Sequence, residues 1–319
     1  MHRTFCTLFD HNYLYKGLAL YHSLRAFTPT FTLWVLALSD EAYELLERMS
    51  LENVRLVRLE DLEDEELRRA KRNRSAVEYY WTLSPSLPLY VLKEDAGIDA
   101  VTYIDADCFF FSDPEPLYRE MGDASVLVIE HRYSEERKAW EKTSGRFNVQ
   151  FLVFKRDEIG MSVLTKWRSQ CNEWCYYREE EGRFGDQMYL DAWPREFPGI
   201  HILQHKGGGL APWNIKNYRL QKCGARVLVD ADPLVFYHFH ALRIYSRRAF
   251  EPAVGYTFTG NELALVYKPY QDALKRAMSQ VALYDPSFAH GFTGRDGLAR
   301  RVLAASVARL AAAVRRVKG

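Results

Sequence analysis

The first hundred residues alternate short β-prone runs with stretches of helical periodicity, and few architectures accept that order. Residues 3–9 are apolar and read as a strand, and Asp10, His11 and Asn12 break it. From Leu14 to Phe27 apolar residues recur three and four apart, which predicts a helix that ends at Thr28-Pro29. A second strand is expected over 32–38, then a helix capped by Ser39-Asp40 and running to Met49, then a third strand over 54–59. Glu60–Arg74 is dense in charge and reads as a solvated helix or loop. Tyr79–Leu92 is aromatic and interrupted by Pro85 and Pro88. Val101–Ile104, Val126–Ile129 and Phe147–Phe154 supply further strands, and Met161–Glu180 a long helix. Strands alternating with helices favour an α/β fold with a mostly parallel, buried sheet covered by helices on both faces.

Composition narrows the function classes. The 319 residues carry 43 cations and 42 anions, a net charge of +1, which argues against a surface built to grip nucleic acid. Aromatic residues reach 14%, which excludes a mainly disordered chain. The cysteines Cys6, Cys108, Cys171, Cys175 and Cys223 are scattered and read as reduced thiols of a cytoplasmic protein. The start of the chain lacks the apolar stretch of a signal peptide, and no window is apolar enough to span a membrane. The end differs from the rest. Between Gly297 and Gly319 lie Arg300, Arg301, Arg309, Arg315, Arg316 and Lys318 without one acid, opposite an apolar stripe. Such a basic amphipathic helix either lies in an anionic membrane surface or packs on the main domain. The expected division is a domain over 1–260 and a helical extension over 261–319.

The chemistry concentrates at strand ends. Tyr103-Ile104-Asp105-Ala106-Asp107 delivers two carboxylates at the end of a β-run, where open α/β sheets place their ligands. In extended backbone residues i and i+2 point the same way, so both carboxylates could reach one Mg²⁺ or Mn²⁺. The plainer alternative is a strand-end turn with capping aspartates. Thr7-Leu8-Phe9-Asp10 ends the first strand just before a helix, a natural nucleotide site. Asn148 opens a later strand, and Asp186 and Gln187 stand side by side after Gly185. Phe236–His240 closes a β-run with His238 and His240, which share a strand face. Gly207-Gly208-Gly209, followed by Ala211-Pro212-Trp213-Asn214, is either a flexible lid or a glycine-permitted connection. Trp213 and Asn214 are candidate acceptor contacts. Trp81, Trp140, Trp167 and Trp174 read as core.

Taken in order over residues 3–245, these segments resemble the retaining, glycogenin-like and lipopolysaccharide-galactosyltransferase-like glycosyltransferases, closest to the bacterial surface-polysaccharide type. The resemblance implies a GT-A fold and a nucleotide-diphosphate sugar donor, such as a UDP-sugar. It implies a saccharide or lipid-linked saccharide acceptor, and transfer with retention. It places Mn²⁺ or Mg²⁺ on Asp105, Asp107 and His238, and the nucleotide against Thr7, Leu8, Asp10, Tyr13, Lys16, Asp105, Ala106 and Arg243. Asn148 would contact the sugar, with Asp186 and Gln187 at the reacting centre. Two departures stand out. Glu78–Ser84 holds no cation where the family has an arginine or lysine, and Arg74 is the nearest. After His238 the chain reads Phe-His-Ala-Leu-Arg243, so Arg243 takes the part of the family's lysine, with Lys206 as another candidate phosphate contact. A histidine ligand must be neutral, so metal binding is expected to weaken below about pH 6.5. Peripheral attachment through 297–319 to the inner membrane face follows from the extension. The rival classes are a sugar nucleotidyltransferase and a non-catalytic nucleotide-sugar-binding protein.

Overall fold

The computed structural model describes residues 2–258 and 260–294; the basic stretch 297–319 lies outside them. Strand β1 (Arg3–Phe9) leads through a turn capped by Asp10 into α1 (Leu14–Phe27). Strand β2 (Phe31–Ala37) leads into α2 (Asp40–Met49), where the Ser39 hydroxyl accepts the Ala42 N–H at 3.3 Å. After β3 (Val54–Arg58) the charged stretch forms two short helices, α3 (Leu59–Leu62) and α4 (Glu65–Lys71). They are not wholly solvated, because Leu62, Leu67 and Ala70 are buried. The aromatic stretch becomes α5 (Ala76–Leu83) and α6 (Ser86–Glu94). Pro88 sits in the first turn of α6, where its missing N–H costs nothing.

Strand β4 (Ala100–Ile104) is followed by a short β5 (Cys108–Phe110), α7 (Glu115–Met121) and β6 (Val126–Glu130). Next come α8 (Glu141–Ser144), β7 (Phe147–Lys155) and α9 (Glu158–Glu173). Helix α9 starts and stops earlier than its periodicity predicts. The Asp157 carboxylate accepts the Gly160 N–H at 2.8 Å and starts it. Arg74 donates to the carbonyls of Asn172 and Glu173 and closes it, so Trp174 is extended and 174–180 is not helical.

The main sheet has the order β3-β2-β1-β4-β7-β6-β8, with β8 at Ile200–Ile202 after α10 (Trp193–Glu196). Only β7 runs against its neighbours. Both faces are covered. Phe5, Leu33, Phe151 and Val153 pack beneath α1, and Cys6, Leu36, Tyr103 and Phe154 pack toward α9. Burial on both sides explains why the strands are apolar throughout rather than alternating. A small antiparallel sheet, β9 (Leu220–Cys223), β10 (Arg226–Val229) and β11 (Asp232–Pro233), leads to β12 (Phe236–His238), which pairs with β5. A ribbon of β13 (Arg243–Ser246) and β14 (Ala249–Glu251) follows. Helix α11 (Lys268–Tyr284) packs on α1 and buries Tyr270, Leu274 and Ala277 in the same core as β1. Among the described residues no helix is long and apolar enough to cross a membrane.

Candidate functional site

Strands β1 and β4 are parallel, with Cys6 opposite Tyr103, so their C-terminal ends open side by side. Asp105 and Asp107 leave β4 in a turn, not in the extended conformation that the sequence suggested. The Cys108 N–H donates to the Asp105 carbonyl at 3.0 Å, and the chain re-enters as β5. The pairing of β5 with β12 sets His238 opposite Cys108, and the Phe239 N–H holds the Asp107 carbonyl at 2.9 Å. His238 Nε2 lies 3.0 Å from Asp107 and 3.7 Å from Asp105. His240, the alternative on the same strand face, is exposed.

The ligand-type atoms of Asp105, Asp107 and His238 all lie within 4.8 Å of one another. Two hard oxygens and an imidazole nitrogen suit a Mn²⁺- or Mg²⁺-type ion. His238 Nδ1 has no partner among the described residues, so Nε2 is the ring atom committed to the carboxylates. Lys16 Nζ is buried 3.6 Å from Asp107 and 3.9 Å from the centre of the Tyr13 ring.

The charges interlock. Burial works against ionising Asp107, but His238 and Lys16 outweigh it and hold the carboxyl well below its usual range. Asp105 is pushed up to about 6 by burial and by the charge on Asp107, against the pull of His238. Burial alone would strip the proton from His238, yet the two carboxylates raise its affinity for that proton. A divalent ion would therefore displace a proton from this set.

The end of β1 and the turn after it also come to this mouth. Thr7 is fully buried, with a hydroxyl that has no partner among the described residues. Asp10 caps its own turn and accepts the Tyr80 hydroxyl at 3.2 Å. Leu8 is half-buried and Ala106 buried between the two aspartates. Arg243 opens β13, where it pairs with Glu251. Among the described residues the cation beside Asp107 is Lys16. Lys206 is exposed and donates to Asp230 at 2.8 Å, and Arg74 closes α9.

Beside the acidic pair, the antiparallel run of β7 carries Asn148 back to the same edge. Its Nδ2 lies 3.2 Å from Gln187 Oε1 and 3.1 Å from His131 Nε2, and its Oδ1 accepts the Gln150 N–H at 3.0 Å. The Asn148 amide is thus occupied in fixing Gln187. Asp186 is buried with the Ser84 hydroxyl on its carboxylate, and Trp167 Nε1 donates to its carbonyl at 2.8 Å. Burial, helped by the charge on Asp105, pushes Asp186 up to about 7. Ser84, in the stretch that holds no cation, has its hydroxyl 3.3 Å from that of Tyr103.

The loop over 207–214 is packed, not a lid. A Cβ on Gly207 would lie 1.8 Å from the Pro233 carbonyl oxygen, and one on Gly209 (φ +80°) would lie 2.5 Å from Ile129. Asn214 is fully buried, and its amide spans the loop. It donates to the carbonyls of His131 and Gly209 at 2.8 and 2.9 Å and accepts the Ala211 N–H at 3.0 Å. That spends its polar atoms on the scaffold rather than on an acceptor. Trp213 is buried edge-on to His238, with ring centres 5.3 Å apart. Trp167 and Trp174 are core, Trp81 is half-buried, and Trp140, expected in the core, is 42% exposed. Sequence reasoning missed Ser84, Tyr80, His131 and Gln150. A polar residue just beyond a buried strand, as His131 follows β6, is the signal that could have found one of them.

No protein-family model matches the chain. The uncharacterized protein YfnD of Bacillus subtilis (strain 168) is 33% identical over 291 residues, 90% of this chain and 94% of its own length. The uncharacterized protein YfnF of the same organism is 32% identical over 303 residues, 93% of this chain and 99% of its own. Among solved structures, the galactosyltransferase LgtC in complex with donor and acceptor sugar analogs matches with a TM-score of 0.52 and 14% identity. That match covers 86% of this chain and 95% of LgtC. The glycosyltransferase GlyE of Streptococcus pneumoniae TIGR4 matches at 0.50, also with 14% identity, over 88% of this chain and 64% of GlyE. At such identities the likeness establishes the fold, which is GT-A. The chain belongs to the family of YfnD and YfnF of Bacillus subtilis, built on that fold.

Proposed function

We propose that the protein is a metal-dependent glycosyltransferase that moves a sugar from a nucleotide-diphosphate sugar, a UDP-sugar in the simplest case, to a saccharide or lipid-linked saccharide. One observation carries the reading. Asp105, Asp107, His238 and Lys16 converge at the mouth of a GT-A sheet, next to the buried pair Asp186 and Gln187. When the sugar–phosphate bond breaks, negative charge builds on the departing diphosphate. A divalent ion held by Asp105, Asp107 and His238 would act there as a Lewis acid.

Lys16 adds a fixed positive charge on the Asp107 side, desolvated and already in place before reaction. Thr7, Leu8, Asp10, Tyr13, Ala106 and Arg243 would line the nucleotide. Asp186 and Gln187 would face the reacting sugar carbon, with Asn148 fixing the Gln187 amide. Trp213 would form a wall of the acceptor side. Retention is supported by the resemblance of the Asp186-Gln187 pair. Residues 1–260 would be the catalytic unit. The extension would bring it to a lipid-linked acceptor of surface-polysaccharide synthesis at the cytoplasmic membrane face.

Incubation with a panel of nucleotide sugars and Mn²⁺ tests the reading. Slow release of nucleoside diphosphate, lost in Asp107→Asn, is expected. No release from any donor overturns it, and pyrophosphate as the product would assign a nucleotidyltransferase.

A further inference from the structure

Six aromatic side chains close a circuit beside the acidic set. His131 stacks on Tyr133, with centres 4.5 Å apart and planes at 9°. Tyr133 meets Trp140 at 6.3 Å, Trp140 meets Tyr256 at 6.3 Å, and Tyr256 meets His240 at 6.3 Å, each edge to face. His240 meets Trp213 at 5.4 Å, and Trp213 returns to His131 at 5.2 Å. His131 and Trp213 are buried, Tyr133 and Tyr256 half-buried and His240 exposed, and the circuit touches the site through the contact of Trp213 with His238. At the outer end Trp140 is exposed within the charged run Glu135–Glu141. Its packing on Tyr133 and Tyr256 still leaves much of the indole open to solvent. Arg137 bridges the outer rings, its Cζ 4.4 Å from Trp140 and 4.1 Å from Tyr256. Its Nη2 donates to the Gly255 carbonyl at 2.7 Å.

The inner rings also carry an unused donor. His131 Nε2 faces the Asn148 amide nitrogen, so Nε2 accepts and the ring proton sits on Nδ1. Trp213 Nε1 is buried without a partner among the described residues, whereas the His131 ring also lies against the Arg146 and Gly145 backbone. A sugar ring has one apolar C–H face and an edge of hydroxyls. Aromatic faces and N–H donors complement both.

We propose that the circuit of His131, Tyr133, Trp140, Tyr256, His240 and Trp213 is the acceptor subsite, and that it takes a pyranose ring of a neutral saccharide. The proposal rests on the glycosyltransferase reading for the word acceptor, but the binding itself needs neither donor nor metal. Saturation-transfer NMR on the full chain without metal or nucleotide, using maltose, lactose, cellobiose and diacetylchitobiose, reads it directly. At least one sugar is expected to bind. Trp140→Ala and Tyr256→Ala are expected to weaken that binding about five- to tenfold, with melting curves confirming that both variants fold. Trp140→Phe should keep most of it. Binding of none of the four sugars, or equal binding by folded Trp140→Ala, overturns the subsite. Sugar binding lost in the variants supports it whatever the nucleotide-sugar assay gives, so the two readings fail separately.

Discussion

Replacing Lys16 with methionine keeps a long unbranched side chain in its buried slot and deletes only the charge. At 3.6 Å and an effective dielectric near 20, Lys16 and Asp107 attract by about 5 kcal/mol. Desolvation of both groups offsets much of that. A divalent ion held by Asp105, Asp107 and His238 would have to share the Asp107 carboxylate with this ammonium. If sharing forfeits about a third of the attraction, Lys16 opposes metal binding by about 1.5 kcal/mol, or roughly tenfold in dissociation constant. Lys16→Met is therefore expected to bind Mn²⁺ about tenfold more tightly than the wild type. If the protein transfers sugar as proposed, the same variant should release nucleoside diphosphate about a hundredfold more slowly, because the preplaced cation that would face the leaving group is gone. Calorimetric Mn²⁺ titration and a nucleotide-release assay read the two quantities on one preparation. Unchanged or weaker Mn²⁺ binding in a folded Lys16→Met protein would refute the shared-carboxylate argument.

Two further expectations concern stability. Burial raises Asp186 to about 7, above its ordinary unfolded value near 3.9, so the folded state binds that proton more tightly than the unfolded chain. The benefit is complete below about pH 4 and is lost as pH rises through about 7; by pH 8 ionised Asp186 carries a penalty on the order of 4 kcal/mol. Asp186→Asn should melt above the wild type at pH 8 and level with it at pH 4, and equal melting at both would reject the assigned burial cost. Gly207→Ala drives a methyl into the Pro233 carbonyl and displaces the Gly207 carbonyl that accepts the Val235 N–H at 2.8 Å. A loss of about 3 kcal/mol in urea denaturation is expected, and a change under about 1 kcal/mol would show that the loop gives way freely.

What the sequence discloses here is what neighbouring residues decide. The strand-helix alternation from Arg3 to Met49 is written in local periodicity and in the Ser39 cap, and the structure returns it almost residue for residue. The carboxylate pair was legible because charged residues rarely follow so apolar a run. Its turn was not, since β12 shapes it from far along the chain. The same distance left the choice between His238 and His240 to the family resemblance, and it hid the close packing of Gly207. Helix α9 stops short of its own periodicity because Arg74, remote in sequence, takes its last carbonyls. Trp140 was misread for a different reason: hydrophobicity alone does not distinguish an interior ring from one left at the surface.

The ladder between β5 and β12 has an implication for biogenesis. A nascent chain that has emerged only through Asp107 carries both acids but lacks the imidazole, which arrives with Phe236 and Tyr237 on the late strand. Full-strength capture of a divalent ion at this set would thus wait for the distant halves of the polypeptide to meet. An ion held by these three side chains would act as a buckle across that seam, so chelation of the metal-loaded protein is expected to loosen β12 before any part of the central sheet.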